Sequence, residues 1–398
     1  MKFLNPQILK AAKMQTKLGL AAALMVSLGS VTAFAEPGVS GDKIVFGQSA
    51  AFEGPAAALG IGMREGLLAA FAEANKAGGV KGRKLELVTY DDSYEPKKAI
   101  ANTRKLIEKD NVFALIGEVG TPTSKAVQPI ATKMNVPFIG PFTGAGFLRS
   151  NDLRNVINIR GTYDQETEAW IEHLTKDLGI TKIAILYQDD SFGRVGLSGV
   201  TKALTKRGLK LVAEGTYKRN TTAVKTAVLA IRKSNPEAVV MVGAYKPVAA
   251  FIKLAKKVGM TSKFVNISFV GSKALAKELG SAGEGVIISQ VVPFPWDKTI
   301  PLVASYHKAL KAFNAKAEAG FVSLEGYLVG KFVINALNKI QGDITRQALL
   351  DTIRKTGTFD MGGVTLTFGE NDSQGMDKVF MTIIQSDGSF KFVEKLSS

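Results

Sequence analysis

The feature that most constrains the fold of this 398-residue chain is a rhythm of strand and helix patterns that starts twice. After Lys43, Ile44 to Gln48 reads as a strand, and Met63, Leu67, Leu68, Phe71 and Ala74 share one helical face. Leu85 to Tyr90 is a second strand. Pro96 then opens a helix faced by Ala99, Ile100, Thr103, Leu106 and Ile107. Strands Val112–Gly117 and Pro137–Gly140 flank a helix from Thr121 to Met134, which Pro129 should bend or shorten. The rhythm restarts after Arg160. Trp170, Leu174 and Leu178 space a helix ending at Gly179, and strand Lys182–Tyr187 and helix Gly193–Arg207 follow. Next come strand Leu209–Ala213, helix Thr222–Lys233, strand Ala238–Val242, helix Pro247–Val258 and strand Lys263–Ile267. Continuous apolar strands between helices predict parallel sheets covered on both faces. Two such runs predict an α/β protein with two Rossmann-like lobes.

The stretch Ala114 to Arg149 carries the clearest functional signal. A buried strand meets a small-residue turn, with Thr121 where an N-cap belongs and Pro122 at the first helical position. The first N–H groups of a helix are unpaired and carry partial positive charge. A strand that ends before such a start offers a site to a carboxylate or similar acceptor. The stretch holds no catalytic group, which points to holding a small molecule and not transforming it.

Residues Phe46 to Pro55, Asn75 to Arg83, Tyr90-Asp91-Asp92, Ile116-Gly117, Val136-Pro137, Ser191-Phe192-Gly193 and Gly243-Ala244-Tyr245 stand in a telling order and spacing. With the Ala114–Arg149 loop they resemble the leucine/isoleucine/valine-binding protein family, the type I periplasmic solute-binding proteins of ABC importers. The resemblance implies two lobes joined by a three-strand hinge with a ligand cleft between them. It places the crossovers near Gly161, Val291 and Thr358. The N-terminal lobe is then 36–161 plus 292–357, and the C-terminal lobe 162–291 plus 358–398.

Ligands of open parallel sheets meet the loops after the carboxyl ends of the strands, and two facing lobes bury a solute by hinge closure. The first lobe thus offers Ala51, Phe52, Leu59, Gly120, Thr121, Thr123, Phe142, Thr143 and Gly144. The second offers Asp189, Phe192, Tyr245, Ser268 and Phe269. Amino-acid binders of the family carry a hydroxyl residue at Thr121, and this chain agrees. They usually carry Ser or Thr at Gly144, often Tyr at Phe192, and an acid at Ser268 that pairs with the ligand's ammonium. A buried ammonium without a counter-charge costs several kcal/mol. These departures favour a neutral, carboxylated or aromatic solute over an aliphatic α-amino acid, unless Asp189 or Glu53 supplies the charge.

The N-terminus reads as an export signal. Lys2, Lys10, Lys13 and Lys17 precede an apolar core, Leu18 to Leu28, and Ala33-Phe34-Ala35 is a cleavage site that leaves Glu36 first. The core is too short for a membrane anchor, which needs about 20 residues. There is no cysteine, hence no lipid anchor beside the cleavage site, no disulfide and no thiolate zinc site. The expected product is a freely soluble, monomeric periplasmic protein. Loss of the four lysines lowers the net charge from +16 to about +12. The remaining basic residues are scattered, as in Arg104-Lys105, Lys176, Lys256-Lys257 and Lys308, so nucleic acid is not an expected partner.

Phe321 to Ile340 is apolar enough to mimic a membrane span, but Glu325, Lys331 and Asn335 within it favour a buried core helix. The chain end, Val364 to Phe368 and Val379 to Phe392, reads as short strands turned at Asp387-Gly388. No catalytic, metal or cofactor site is expected. His173 and His307 are the only histidines and join no metal-spaced cluster. Gly60-Ile61-Gly62 lacks the third glycine of a dinucleotide loop. Asp91-Asp92 reads as a turn pair before it reads as a cation site. The functional expectation is a binding protein that hands an amino-acid-like, carboxylated or aromatic solute to an ABC permease. A sensor subunit that signals to a membrane receptor is the second reading.

Overall fold

The computed structural model describes residues 36–397. The expected export signal lies outside the described residues. The first sheet is built from β1 (Lys43–Ala50), α1 (Ala57–Lys76), β2 (Lys84–Asp91), α2 (Pro96–Glu108), β3 (Ala114–Ile116), α3 (Thr121–Lys133), β4 (Phe138–Ile139) and β5 (Val156–Ile157). Its order is β2-β1-β3-β4-β5, all parallel. The chain then enters α4 (Tyr163–Lys176), β6 (Ile183–Gln188), α5 (Ser191–Thr205), β7 (Ala213–Tyr217), α6 (Lys225–Arg232), β8 (Ala238–Val242), α7 (Tyr245–Lys257), β9 (Lys263–Asn266), α8 (Ser272–Leu279) and β10 (Ile287–Gln290). It passes α9 (Pro301–Phe313), α10 (Phe321–Lys339) and α11 (Arg346–Thr356), and ends in β11 (Thr358–Asp360), β12 (Thr365–Thr367), β13 (Phe380–Ile384) and β14 (Phe390–Val393). The second sheet runs β14-β13-β10-β9-β8-β6-β7, antiparallel only at β13 and β14.

The apolar runs explain the layers. Every residue of β6 and β8 is buried, as a strand covered on both faces requires. Helix α10 buries Leu324, Tyr327, Leu328 and Phe332 and packs along α1, so it is a core helix of the first lobe. Among the described residues no helix is long and apolar enough to cross a membrane. The ribbon β11-β12 seats Phe359 and the neighbouring Phe368 on Phe332 of α10, at 5.1 and 5.0 Å between ring centres.

Three local expectations are corrected. Helix α3 runs through Pro129 to Lys133 without being cut short. Gly120, at φ 107°, caps it, so Thr121 is its first residue and not its cap. Strand β7 is Ala213–Tyr217 and not Leu209–Ala213, because Ala213 to Tyr217 lie in register with Ala184 to Gln188 of β6. Leu209 instead donates its N–H to Leu204 at the end of α5.

Candidate functional site

The carboxyl ends of the two sheets face each other, and their loops build the site. From the first lobe, β3 and β4 deliver two threonines into contact, with Thr121 Oγ1 2.7 Å from Thr143 Oγ1. Thr143 Oγ1 also accepts from the Ala145 N–H at 3.2 Å. Thr123 turns back into its own loop and donates to the carbonyls of Val119 and Gly120 at 2.5 and 3.0 Å. Gly120 is required here. A Cβ at φ +107° would stand 2.2 Å from Cε2 of Tyr94.

From the second lobe, Phe269 enters between first-lobe rings. Its ring centre lies 5.4 Å from Phe142 and 5.9 Å from Tyr94, and 4.7 Å from Phe192 on its own lobe. Tyr163, at the start of α4, adds a contact to Phe192 at 5.5 Å. All five rings are buried. Each such pair contributes about 0.5–1.5 kcal/mol beyond its buried area. Burial pushes the Tyr94 phenol well above its ordinary pKa and raises that of Tyr163, so both stay neutral. Tyr245 closes another side of the cleft, where its hydroxyl accepts from the Ala58 N–H at 3.3 Å. Beside it Gly271, at φ +78°, would carry a Cβ 2.6 Å from Cδ2 of Leu59 on the opposite lobe.

The structure leaves two expected contacts outside this group. Asp189 is exposed and bound to Arg194 at 2.5 Å. Phe52 is half-buried beneath the Arg64 guanidinium, 4.1 Å from its ring centre. Glu53 is exposed. Asp91 and Asp92 are a turn pair. Asp91 accepts from the N–H groups of Phe52, Glu53 and Ser93, and Asp92 from Ser49 Oγ and the Tyr94 N–H. Burial pushes the Asp92 carboxyl up to about 6. The two histidines spend their rings on neighbours, His173 on Asp177 and His307 on the Pro295 carbonyl, each at 2.7 Å.

The buried charges had no sequence signal. Arg160 follows β5 and is fully buried, 4.5 Å above the Phe142 ring centre. Its Nη2 donates to Ser268 Oγ at 2.9 Å and to Glu325 Oε2 at 3.1 Å, while Nε lies 2.9 Å from Glu325 Oε1. Burial works against that charge, and Glu325, Tyr163 and Glu166 outweigh it, so the guanidinium stays charged. Arg149 braces this corner from behind. It donates to the carbonyls of Thr143, Ala145 and Arg160 at 3.2, 3.0 and 3.0 Å, and burial followed by the nearby Arg160 lowers its pKa to about 9.

A profile of the family described as periplasmic binding protein matches residues 43–389. The chain belongs to that family. A leucine-, isoleucine-, valine-, threonine- and alanine-binding protein of Pseudomonas aeruginosa is 24% identical over 344 residues, 86% of this chain and 90% of its own. A Leu/Ile/Val-binding protein homologue of Brucella abortus is 25% identical, over 85% of this chain and 88% of its own. The crystal structure of "a possible leucine/isoleucine/valine-binding protein" from Rhodopirellula baltica superposes with a TM-score of 0.85 at 38% identity, covering 89% of this chain and 98% of its own. This chain is therefore a periplasmic solute-binding protein with the two-lobed type I fold.

Within this periplasmic binding protein, the departures from the amino-acid-binding pattern have physical causes. A Cβ at Gly144 would lie 2.7 Å from Cδ1 and 2.8 Å from the backbone nitrogen of Tyr163, so a hydroxyl side chain has no room there. Ser268 does have an acid beside it, supplied by α4. Glu166 Oε2 accepts the Ser268 N–H at 2.9 Å and Oε1 accepts the Ser268 hydroxyl at 2.8 Å. Ser289 donates to the same carboxylate, so both Glu166 oxygens already accept hydrogen bonds. Nothing in the sequence marked Tyr94, Tyr163, Arg160 and Glu166 as members of the site. Arg160, Tyr163 and Glu166 stand within seven residues where the chain enters α4, but Tyr94 and their partners Phe192, Ser268, Ser289 and Glu325 lie far away in sequence.

Proposed function

We propose that this protein captures a small organic solute between its lobes by hinge closure and delivers it to an ABC importer in the inner membrane. The solute is aromatic or aliphatic, carries a carboxylate and lacks an α-ammonium group. One observation carries this reading. The position where an acid would meet an ammonium is Ser268, which sits between the Arg160 guanidinium and a Glu166 already engaged by Ser268 and Ser289. The alternative suppliers of negative charge lie elsewhere, Asp189 on Arg194 and Glu53 exposed at the surface. An ammonium buried here would cost several kcal/mol.

The closed lobes bring Leu59, Gly120, Thr121, Phe142, Thr143, Phe192, Tyr245, Ser268 and Phe269 together, and these are proposed as the walls of the cleft that encloses the solute. The lobes are proposed as 36–161 with 292–357, and 162–291 with 358–398. Within 358–398, the packing of ribbon β11-β12 on Phe332, and of Ser373 to Gly375 on Asn158 and Arg149, favours the first lobe. The protein is proposed to act as a monomer after a signal at 1–35 is removed.

Thermal unfolding of residues 36–398 against branched-chain amino acids, aromatic acids, amides and aliphatic acids tests the reading. A ligand at 1,000 times its Kd adds about 4 kcal/mol, worth several degrees. Acids without an amino group are expected to shift the transition, and leucine and valine to leave it in place. A large shift with leucine overturns the reading.

A further inference from the structure

The strand-end apex of the cleft is filled by protein. Phe269 occupies the space between Tyr94, Phe142 and Phe192, and the crevice beside Arg160 has no room for a water molecule. A cavity of about 430 Å³ lies instead at the mouth of the cleft, between the start of α1, the start of α8 and the loop into α10. That volume falls within the range of about 300–1,000 Å³ common to ligand sites.

Its lining has two parts. Leu59, Ile61, Phe321 and Val322 form an apolar floor, on which Ile61 is 40% exposed. Lys273, Lys277 and Lys316 stand around it. Lys273 is paired with Glu318, and Glu65 accepts from Asn314 Nδ2 at 3.1 Å. Among the described residues, Lys277 and Lys316 have no carboxylate within ion-pair distance, so two uncommitted cations border an apolar surface. An isolated apolar patch in a cleft marks a binding surface, and the cations set its charge preference. Both lobes contribute, since the floor comes from α1 and α10 and two of the lysines from α8. A molecule lying here touches both lobes at once and so favours the closed arrangement.

We propose that this mouth cavity, and not the strand-end apex, holds the body of the solute, and that the solute is a monocarboxylate with an extended apolar body whose carboxylate meets Lys277 and Lys316. The proposal rests on the cleft reading above and names its substrate class. Lysine charges disfavour an ammonium at the rim, and the apolar floor disfavours sugars and polyanions, whose polar groups would lose water without gaining partners.

The test is calorimetric titration of residues 36–398 with butanoate, hexanoate, octanoate and 3-phenylpropanoate, and with octan-1-ol as the uncharged control. Affinity should rise about fourfold per added methylene. Val322→Trp, which fills the cavity, should abolish octanoate binding. The double variant Lys277→Gln/Lys316→Gln, which changes only exposed side chains, should weaken octanoate at least about fivefold and leave octan-1-ol unchanged. If Val322→Trp unfolds, the lysine pair still decides. Butanoate binding as tightly as octanoate, with both unaltered by either variant, overturns the mouth site while leaving the cleft reading intact. Tight binding of leucine overturns both, and failure of every acid overturns the proposal.

Discussion

Arg219 of the second lobe donates to Glu95 of the first at 2.8 Å and to Asp190 of its own lobe at 2.9 Å. Asn220 adds bonds to the Ser93 carbonyl and to Glu95 Oε1, at 3.0 and 2.7 Å. The lobes are thus fastened at one edge of the cleft by polar contacts between β7's loop and the start of α2. Glu95 is 42% exposed, so water screens the pair and its contribution is modest. Arg219→Ala should weaken binding of the tightest-binding acid about fivefold, equivalent to about 1 kcal/mol. It should also enlarge the radius of gyration of the ligand-free protein in X-ray scattering. An unchanged radius and affinity would show that the contact does not hold the lobes closed.

The Arg160–Glu325 pair is a different case, because both groups are buried. Removing one partner leaves an uncompensated charge in the interior. Glu325→Ala should lower stability by about 3–5 kcal/mol in urea unfolding, while Arg160→Met with Glu325→Met should recover most of that loss. A single variant as stable as the parent would mean that the pair is not buried in the folded protein.

The alternation of strand and helix made both lobes legible, because a continuous apolar run such as Ala238–Val242 has few other homes than a covered parallel strand. The strand-end rule also named residues that touch one another, Thr121 with Thr143 within one lobe and Phe142 with Phe269 between the lobes. Side-chain direction was not legible. Asp189 sits at a strand end yet turns outward to Arg194, and Thr123 spends its hydroxyl on its own loop. Strand β7 was misplaced because Leu209 and Leu211 alternate like a strand, whereas pairing with β6 begins at Ala213. Arg160 looked like a boundary residue, and only its three-dimensional neighbours, Glu325 and Ser268, give it a role.

Asp92 gives the fold a pH dependence. Its carboxyl is pushed up to about 6 from the ordinary 3.8, chiefly by burial. The folded state therefore binds this proton more tightly than the unfolded state, and the contribution falls as pH rises from about 4 to about 6. Each pH unit in that window is worth about 1.4 kcal/mol, close to 3 kcal/mol in all. Urea unfolding across pH 4–7 should show this slope, and Asp92→Asn should flatten it. A slope unchanged in Asp92→Asn would assign the titration to another group.

Gly271 tests how closely the lobes must approach. Gly271→Ala should cost about 1 kcal/mol for its left-handed backbone. It should cost ligand affinity in addition, because its Cβ would stand 2.6 Å from Leu59. Leu59→Ala in the same chain should relieve the clash and leave the backbone cost, which a double-mutant cycle resolves. Equal affinities for the parent and Gly271→Ala would mean that the binding-competent state is more open than the one described.

The most direct measurement compares L-leucine with 4-methylpentanoate, the same skeleton without its amino group, by calorimetry on residues 36–398. With Ser268 facing Arg160 and both Glu166 oxygens already hydrogen-bonded, the amino-free acid should bind at least about a hundredfold more tightly, the equivalent of roughly 3 kcal/mol. Leucine binding equally well or better would contradict the account, and would mean that the cleft supplies a counter-charge for the ammonium.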